Sequence, residues 1–115
     1  MRVLILAKGG GQSAAAAPPT PAEMAEFEKY DQDLVKSGVV LASGRLAPIA
    51  QAKRVRFDGQ KRSVLDGPYA ESKEVVGGYW LWEVRSMDEA LEWLKRAPFN
   101  DGTFEVRQVS QHEGD

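Results

Sequence analysis

Cysteine is absent from this 115-residue chain, and histidine occurs once, as His112 in the tail Gln111-His112-Glu113-Gly114-Asp115. Without thiols there is no disulfide framework, no thiolate metal site and no cysteine nucleophile. One tail imidazole does not build a catalytic triad or a histidine-rich metal centre. No metal and no cofactor is therefore expected. Charge of one sign is lacking as well: fifteen basic residues against seventeen acidic ones give a net charge of −2. A dedicated nucleic-acid binder is usually basic overall. Long apolar runs are also missing. Met1-Arg2-Val3-Leu4-Ile5-Leu6-Ala7-Lys8 is too short for a signal sequence with its cleavage site and far too short to span a bilayer. The expectation is a cytoplasmic protein with neither nucleic acid nor membrane as partner.

What is present belongs to a soluble globular domain. Hydrophobic residues at 43% and charged residues at 28% fit one domain over residues 1–115 with a single core and a polar tail from about residue 110. Val3 to Ala7 reads as a strand buried on both faces. Lys8-Gly9-Gly10-Gly11 follows, but it lacks the Gly-Lys-Ser/Thr ending of a phosphate loop, so it reads as a connection. The alanine- and proline-rich stretch up to Pro21 extends that loop. Thr20-Pro21-Ala22-Glu23 is a helix start: Thr20 caps, Pro21 suits the first helical position and Glu23 completes a capping box. Met24, Phe27, Tyr30 or Asp31, Leu34 and Val35 then recur at helical spacing until Gly38.

Val39 to Leu46 reads as a strand with a bulge at Ser43-Gly44. Lys53 to Phe57 alternates, Asp58-Gly59 signals a tight hairpin, and Gln60 to Leu65 returns. Gly77 to Val84 is the strand richest in aromatics. Ser86-Met87-Asp88-Glu89 is a second capping box, and Met87, Ala90, Leu91 and Leu94 form one helical stripe ending before Pro98. Phe104 to Val109 closes as an alternating strand. The order is β-α-β, a hairpin, then β-α-β, which predicts a ferredoxin-like βαββαβ sandwich of the α+β class with an inserted β-hairpin. Both helices must cover one face. Either Tyr79 and Leu81 or Trp80, Trp82 and Val84 then point to the other face, and an aromatic face left open predicts a homodimer.

The densest polar stretch is Asp66-Gly67-Pro68-Tyr69-Ala70-Glu71-Ser72-Lys73-Glu74, followed by Gly77-Gly78-Tyr79. A turn needs only the Gly and the Pro, so the crowding of acids, lysine and tyrosine asks for another role. Together with Met87 to Trp93 and Phe104-Glu105-Val106-Arg107, this segment resembles the YCII-related family, in the branch named for its DGPF motif. Tyr69 stands where that motif has Phe. The resemblance implies a dimeric α+β barrel, in which two ferredoxin-like sheets face each other around a cavity. It also implies a small-molecule ligand, because some relatives are similar to lyases or dehydrochlorinases of aromatic substrates. Other relatives resemble domains linked to extracytoplasmic-function sigma factors, which implies a sensory or accessory role. The sister branch carries a His–Asp pair, and the best matching positions here are Glu23 and Ala97, so that dyad is missing.

The candidate ligand-binding or loop residues are Asp66, Tyr69, Glu71, Lys73 and Glu23. A carboxylate near a lysine suits proton abstraction, the lysine stabilising the developing oxyanion. The plainer reading makes Asp66 an Asx-type turn acceptor, Glu71, Lys73 and Glu74 surface ion pairs, and Glu23 a helix cap. Arg54 and Arg56 share one face of the hairpin, where basic residues of the return strand are expected to join them. Such a set grips an acidic partner or guards a strand edge. Trp80 and Trp82 line one face as core, dimer contact or cavity wall.

Overall fold

The computed structural model describes residues 1–8, 20–66, 76–99 and 102–110. The elements in chain order are β1 (Arg2–Lys8), α1 (Pro21–Lys36), β2 (Val40–Arg45), a single 3-10 turn (Ile49–Gln51), β3 (Lys53–Asp58), β4 (Lys61–Asp66), β5 (Val76–Glu83), α2 (Met87–Lys95) and β6 (Thr103–Gln108). Four strands pair in the order β2-β5-β1-β6, each neighbouring pair antiparallel. β1 and β2 therefore run parallel with β5 between them, a connection that needs a crossover helix, and α1 provides it. With α2 joining β5 to β6, this is the ferredoxin-like α+β arrangement that the element order predicts.

Helix starts follow the expected chemistry. The Thr20 hydroxyl accepts from the Glu23 amide at 3.1 Å and the Glu23 carboxylate accepts from the Thr20 amide at 2.8 Å, so two orphan donors are satisfied reciprocally. α1 ends where Gly38 takes a left-handed φ of 72°. At α2 the Ser86 hydroxyl accepts from the Glu89 amide at 3.1 Å. The return half differs from a strict capping box: Glu89 accepts from the amide of Arg85, one residue earlier, at 2.7 Å, and from the Arg85 guanidinium at 3.2 Å.

The two faces of the sheet are unequal. Val3, Ile5, Trp80 and Trp82 are buried on the helix side with Tyr30 and Leu34 of α1 and Ala90 of α2. Trp80 is the hub, its ring 6.2 Å from that of Tyr30, 5.4 Å from that of Trp82 and 6.5 Å from that of Phe104. The indoles are thus core, and Tyr79 and Leu81 are the pair turned to the other side. β1 is accordingly buried on one face only, since Leu4 and Leu6 are half-buried. The expected stripe of α1 is also narrower than its spacing suggests, because Met24 and Val35 stand out in solvent.

Two local expectations are corrected. The irregularity in β2 falls between Val40 and Ala42, where Leu41 is the extra residue, and not at Ser43-Gly44. Ser43 and Gly44 stay in register because Gly44 lies under the Tyr79 ring, where a Cβ would come within 2.8 Å of Cε1. In the hairpin, Asp58 pairs with Lys61, so the two-residue loop is Gly59-Gln60, with Gly59 alone at positive φ (63°). That sign pattern belongs to a II′-type turn with Gly at its first central position.

β3 and β4 form a sheet of their own, a two-stranded ribbon apart from the main sheet. Its register sets Arg54 opposite Leu65 and Arg56 opposite Ser63. The expected pooling of basic residues on that face therefore fails for Arg62, which lies opposite Phe57 on the other face and stacks its guanidinium 4.6 Å from the Phe57 ring centre.

Candidate functional site

The face of the sheet away from the helices carries a floor of half-buried apolar side chains. Cross-strand register places Leu4 beside Leu81 and Leu6 beside Tyr79, so these four alternate residues of β1 and β5 share one surface. β6 adds Glu105 opposite Leu6 and Arg107 opposite Leu4. Two cations flank Glu105: Lys8 Nζ lies 3.7 Å from Oε1 and Arg107 Nε lies 3.8 Å from Oε2. Lys8 is only 19% exposed although it carries a charge at the end of a strand. At the other end Glu83 accepts from the N-terminal ammonium at 2.8 Å, which holds its carboxyl below the ordinary carboxylate value, and Arg2 Nε is 3.5 Å away.

This is a flat, partly dry patch with the Tyr79 ring and hydroxyl over β2 on one side, and two cationic donors and one carboxylate along its β6 side. A planar ring would lie against Leu4, Leu6, Tyr79 and Leu81, while Lys8 and Arg107 would meet an ionised substituent. Excluding water from such a patch strengthens each of those polar contacts. Among the described residues no cluster of three or more His, Asp or Glu stands close enough together to hold a metal ion.

The residues singled out from sequence fall differently. Tyr69, Glu71 and Lys73 lie outside the described residues, as do Gly67, Pro68, Glu74 and His112. Asp66 closes β4, where its carboxylate meets Lys53 Nζ at 2.6 Å, both side chains about two-thirds exposed. Glu23 is taken up by the cap of α1, and the hydrogen bonds from Thr20 hold its carboxyl below the ordinary value. Val76, the first residue of β5, is the register partner of Lys8 at the cationic end of the open face.

Lys8, Glu105 and Arg107 were not singled out by spacing. Lys8 reads in sequence as the start of a glycine loop, and Glu105 and Arg107 as the polar half of an alternating strand. Their signal is that the apolar alternation of β1 and β5 continues on the face where β6 turns polar. That signal becomes visible only once strand order is known.

A concavity of about 500 Å³ lies between the helices on the opposite side of the molecule, lined by Glu26, Lys29, Tyr30, Lys36, Trp93 and Arg96 among others. The Tyr30 hydroxyl donates to the Trp93 carbonyl at 2.6 Å across it. Burial pushes the Tyr30 phenol up to about 12, although Arg96 nearby pulls it down. This groove is where two helices part around a tyrosine strut. It is rimmed by Lys29, Lys36 and Arg96.

Residues 1–113 match the YCII-related domain. An uncharacterized protein of Rhizobium meliloti (strain 1021) is 31% identical over 93 residues, which cover 78% of this chain and 75% of that protein. Among solved structures, 5-chloro-2-hydroxyhydroquinone dehydrochlorinase (TftG) from Burkholderia phenoliruptrix AC1100, in complex with 2,5-dihydroxybenzoquinone, is similar with a TM-score of 0.53. Its sequence identity is 17%, and the match covers 100% of this chain and 99% of that one. At that identity the likeness speaks for the fold alone. The family model spans nearly the whole chain, and the chain belongs to the YCII-related family.

Proposed function

We propose that this protein is a small-molecule-binding domain that takes a planar aromatic ligand bearing an ionised hydroxyl or carboxyl group on the open face of its sheet, in a cavity closed by a second copy. The observation that carries the reading is the half-buried floor of Leu4, Leu6, Tyr79 and Leu81 with Lys8, Glu105 and Arg107 along one side. A solvent-facing sheet surface ordinarily alternates to polar residues, and this one does not. Two such faces stacked as a homodimer would bury their leucines and leave the charged side as the wall of a pocket.

Tyr69, Glu71 and Lys73 are proposed to complete that pocket, since in sequence they closely precede Val76, the register partner of Lys8. In its binding form the domain serves as a sensor or accessory unit. A second reading is favoured by the likeness to a dehydrochlorinase: a cofactor-free lyase or isomerase in which Glu71 takes a proton from a ring carbon and Lys73 stabilises the resulting oxyanion.

Native mass spectrometry with 2,5-dihydroxybenzoquinone as probe tests the site. A dimer that binds the quinone saturably, with Arg107→Ala and Lys8→Ala each weakening binding at least about tenfold (roughly one lost charge-assisted hydrogen bond), supports it. A monomer at micromolar concentration, or equal binding by both variants, removes it. Turnover of a chlorinated hydroxyhydroquinone that is lost in Glu71→Gln selects the enzyme over the sensor.

A further inference from the structure

The β3–β4 ribbon has no core of its own. Lys53, Val55 and Phe57 share a face with Arg62, Val64 and Asp66 by register, and on that face Val55, Phe57 and Val64 are 54%, 67% and 65% exposed. A two-stranded hairpin in water is marginally stable at best, so a ribbon of this kind is normally held against something. Three contiguous exposed apolar side chains on a formed ribbon mark the contact face.

The chemistry of the surface that would cover it can be read from charge. The ribbon residues 53–66 carry five basic and two acidic side chains, a net of +3. α1 carries five acidic and two basic side chains, a net of −3. The helix also presents a matching strip. Met24, Glu28, Asp31 and Val35 recur at i, i+4, i+7 and i+11, so they run along one line of the helix. Its ends are apolar and open, Met24 at 56% and Val35 at 60% exposure, and its middle is acidic. From Met24 to Val35 the strip is about 16 Å long, and a six-residue strand spans about 17 Å. Apolar side chains meet apolar ends, and Arg62, which already lies flat on Phe57, presents a guanidinium fork of the kind that pairs with a carboxylate such as Glu28 or Asp31.

We infer that the β3–β4 ribbon is an intersubunit arm whose Val55–Phe57–Val64 face docks on the Met24–Val35 strip of α1 in a second copy of this chain. An isologous two-fold pair uses each surface twice, ribbon to helix and helix to ribbon. The contact uses neither face of the main sheet. It is therefore independent of the facing-sheet dimer proposed above, and the two contacts together would make a tetramer.

The absence of cysteine makes the test clean, because engineered thiols report only designed contacts. Chains carrying Val64→Cys are mixed with chains carrying Met24→Cys or Val35→Cys under mild oxidation. A mixed covalent dimer at one of these positions is expected, and it should persist in a Leu81→Arg background that disrupts the sheet face. In parallel, Arg62→Glu is expected to weaken association at least tenfold, with recovery when Glu28→Arg and Asp31→Arg are introduced on the same chain. No mixed disulfide at either position, with association indifferent to Arg62→Glu, overturns the arm. Protection of Val64→Cys from alkylation that does not change with protein concentration also overturns it, because the ribbon would then be covered from within its own chain.

Discussion

Neighbouring residues of β5 have opposite fates. Trp80 and Trp82 sink into the helix side among Phe27, Tyr30, Phe104 and each other, whereas Tyr79 and Leu81 stand half-buried on the other face with Leu4 and Leu6. Both faces are apolar, yet among the described residues only the helix side is covered. The covered face makes the fold, because burial of an indole removes 150–250 Å² of surface from water. The open face adds little to the stability of a lone chain and is therefore free to be shaped for a partner and a ligand. On the proposed function, stability and binding are divided across a sheet one layer thick.

The contrast breaks most visibly at its most buried member. Trp82 is fully buried, and its Nε1–H has no hydrogen-bond partner among the described residues. Trp82→Ala should cost about 3–5 kcal/mol through lost transfer energy and the cavity left behind, read as a fall in the denaturant midpoint. The unpartnered indole N–H tempers the loss slightly, since removing it relieves a desolvated donor. A loss under about 1 kcal/mol would mean that this face is loosely packed and that the division between faces is false.

Leu81→Arg sharpens the comparison from the other side. The guanidinium can reach water from a half-buried site, so the helical content and thermal midpoint of the lone chain should change little. Self-association through the open face should be lost, seen as a shift toward smaller species in sedimentation and as loss of quinone binding. An unchanged mass distribution at micromolar concentration would mean that the open face is no interface. Substitution at Leu81 that unfolds the chain would instead mean that this face belongs to the core.

Sequence alone revealed the element order and hence the sheet topology, because each helix start carries its own chemistry and each strand its own alternation. Thr20, Pro21 and Glu23 mark the start of α1 within one residue. Which aromatic pair of β5 faces the helices was not legible: Tyr79/Leu81 and Trp80/Trp82 are both apolar enough to be core, and only the register with β1 and β2 decides. The bulge was misplaced for a related reason. Ser43-Gly44 looks like a break in a strand, but Gly44 is small because the Tyr79 ring lies on it, a tertiary cause that no local pattern contains. The described part of the candidate site was not legible: Asp66 to Glu74 was conspicuous by polar density, while Lys8, Glu105 and Arg107 come together only after β1 and β6 are aligned.

Gly44→Ala probes that tertiary cause directly. Its Cβ would sit 2.8 Å from Cε1 and 3.0 Å from the hydroxyl oxygen of Tyr79, so the ring must swing off β2. Tyr79 is half-buried and its ring end is free to rotate, so the stability change should stay within about 1 kcal/mol. Ligand affinity should change more than stability does, since the ring is part of the floor. Tyr79→Phe in the same background separates the ring's place from its hydroxyl: binding restored without the hydroxyl would assign the defect to the ring's displacement.

The smallest effect concerns how the helix layer is fastened, and its sign follows from the cap of α2. The Glu89 carboxyl is held below its ordinary value of 4.5 mainly by the Arg85 amide and then by the Arg85 side chain. A folded-state value below the unfolded one means that the ionised form is favoured in the fold. That contribution is complete above the unfolded value and disappears as pH falls through the lower, folded one. Thermal midpoints should thus be flat from neutral pH to slightly above 4.5 and decline below it. Glu23 and Glu83, lowered by Thr20 and by the N-terminal ammonium, decline in the same window. Glu89→Gln keeps an acceptor for the Arg85 amide but cannot titrate, so its curve should fall less steeply between pH 5 and pH 3 than that of the parent protein, by about one of three contributions. All three groups sit at the margins of the helix layer or the sheet end, and none lies under the aromatic core. Acid should therefore loosen the caps while leaving the near-ultraviolet signal of Trp80 and Trp82 intact until the main transition. Loss of that aromatic signal in step with the early decline would place an acid-sensitive contact inside the covered face and undo the distinction between its interior and its fastenings.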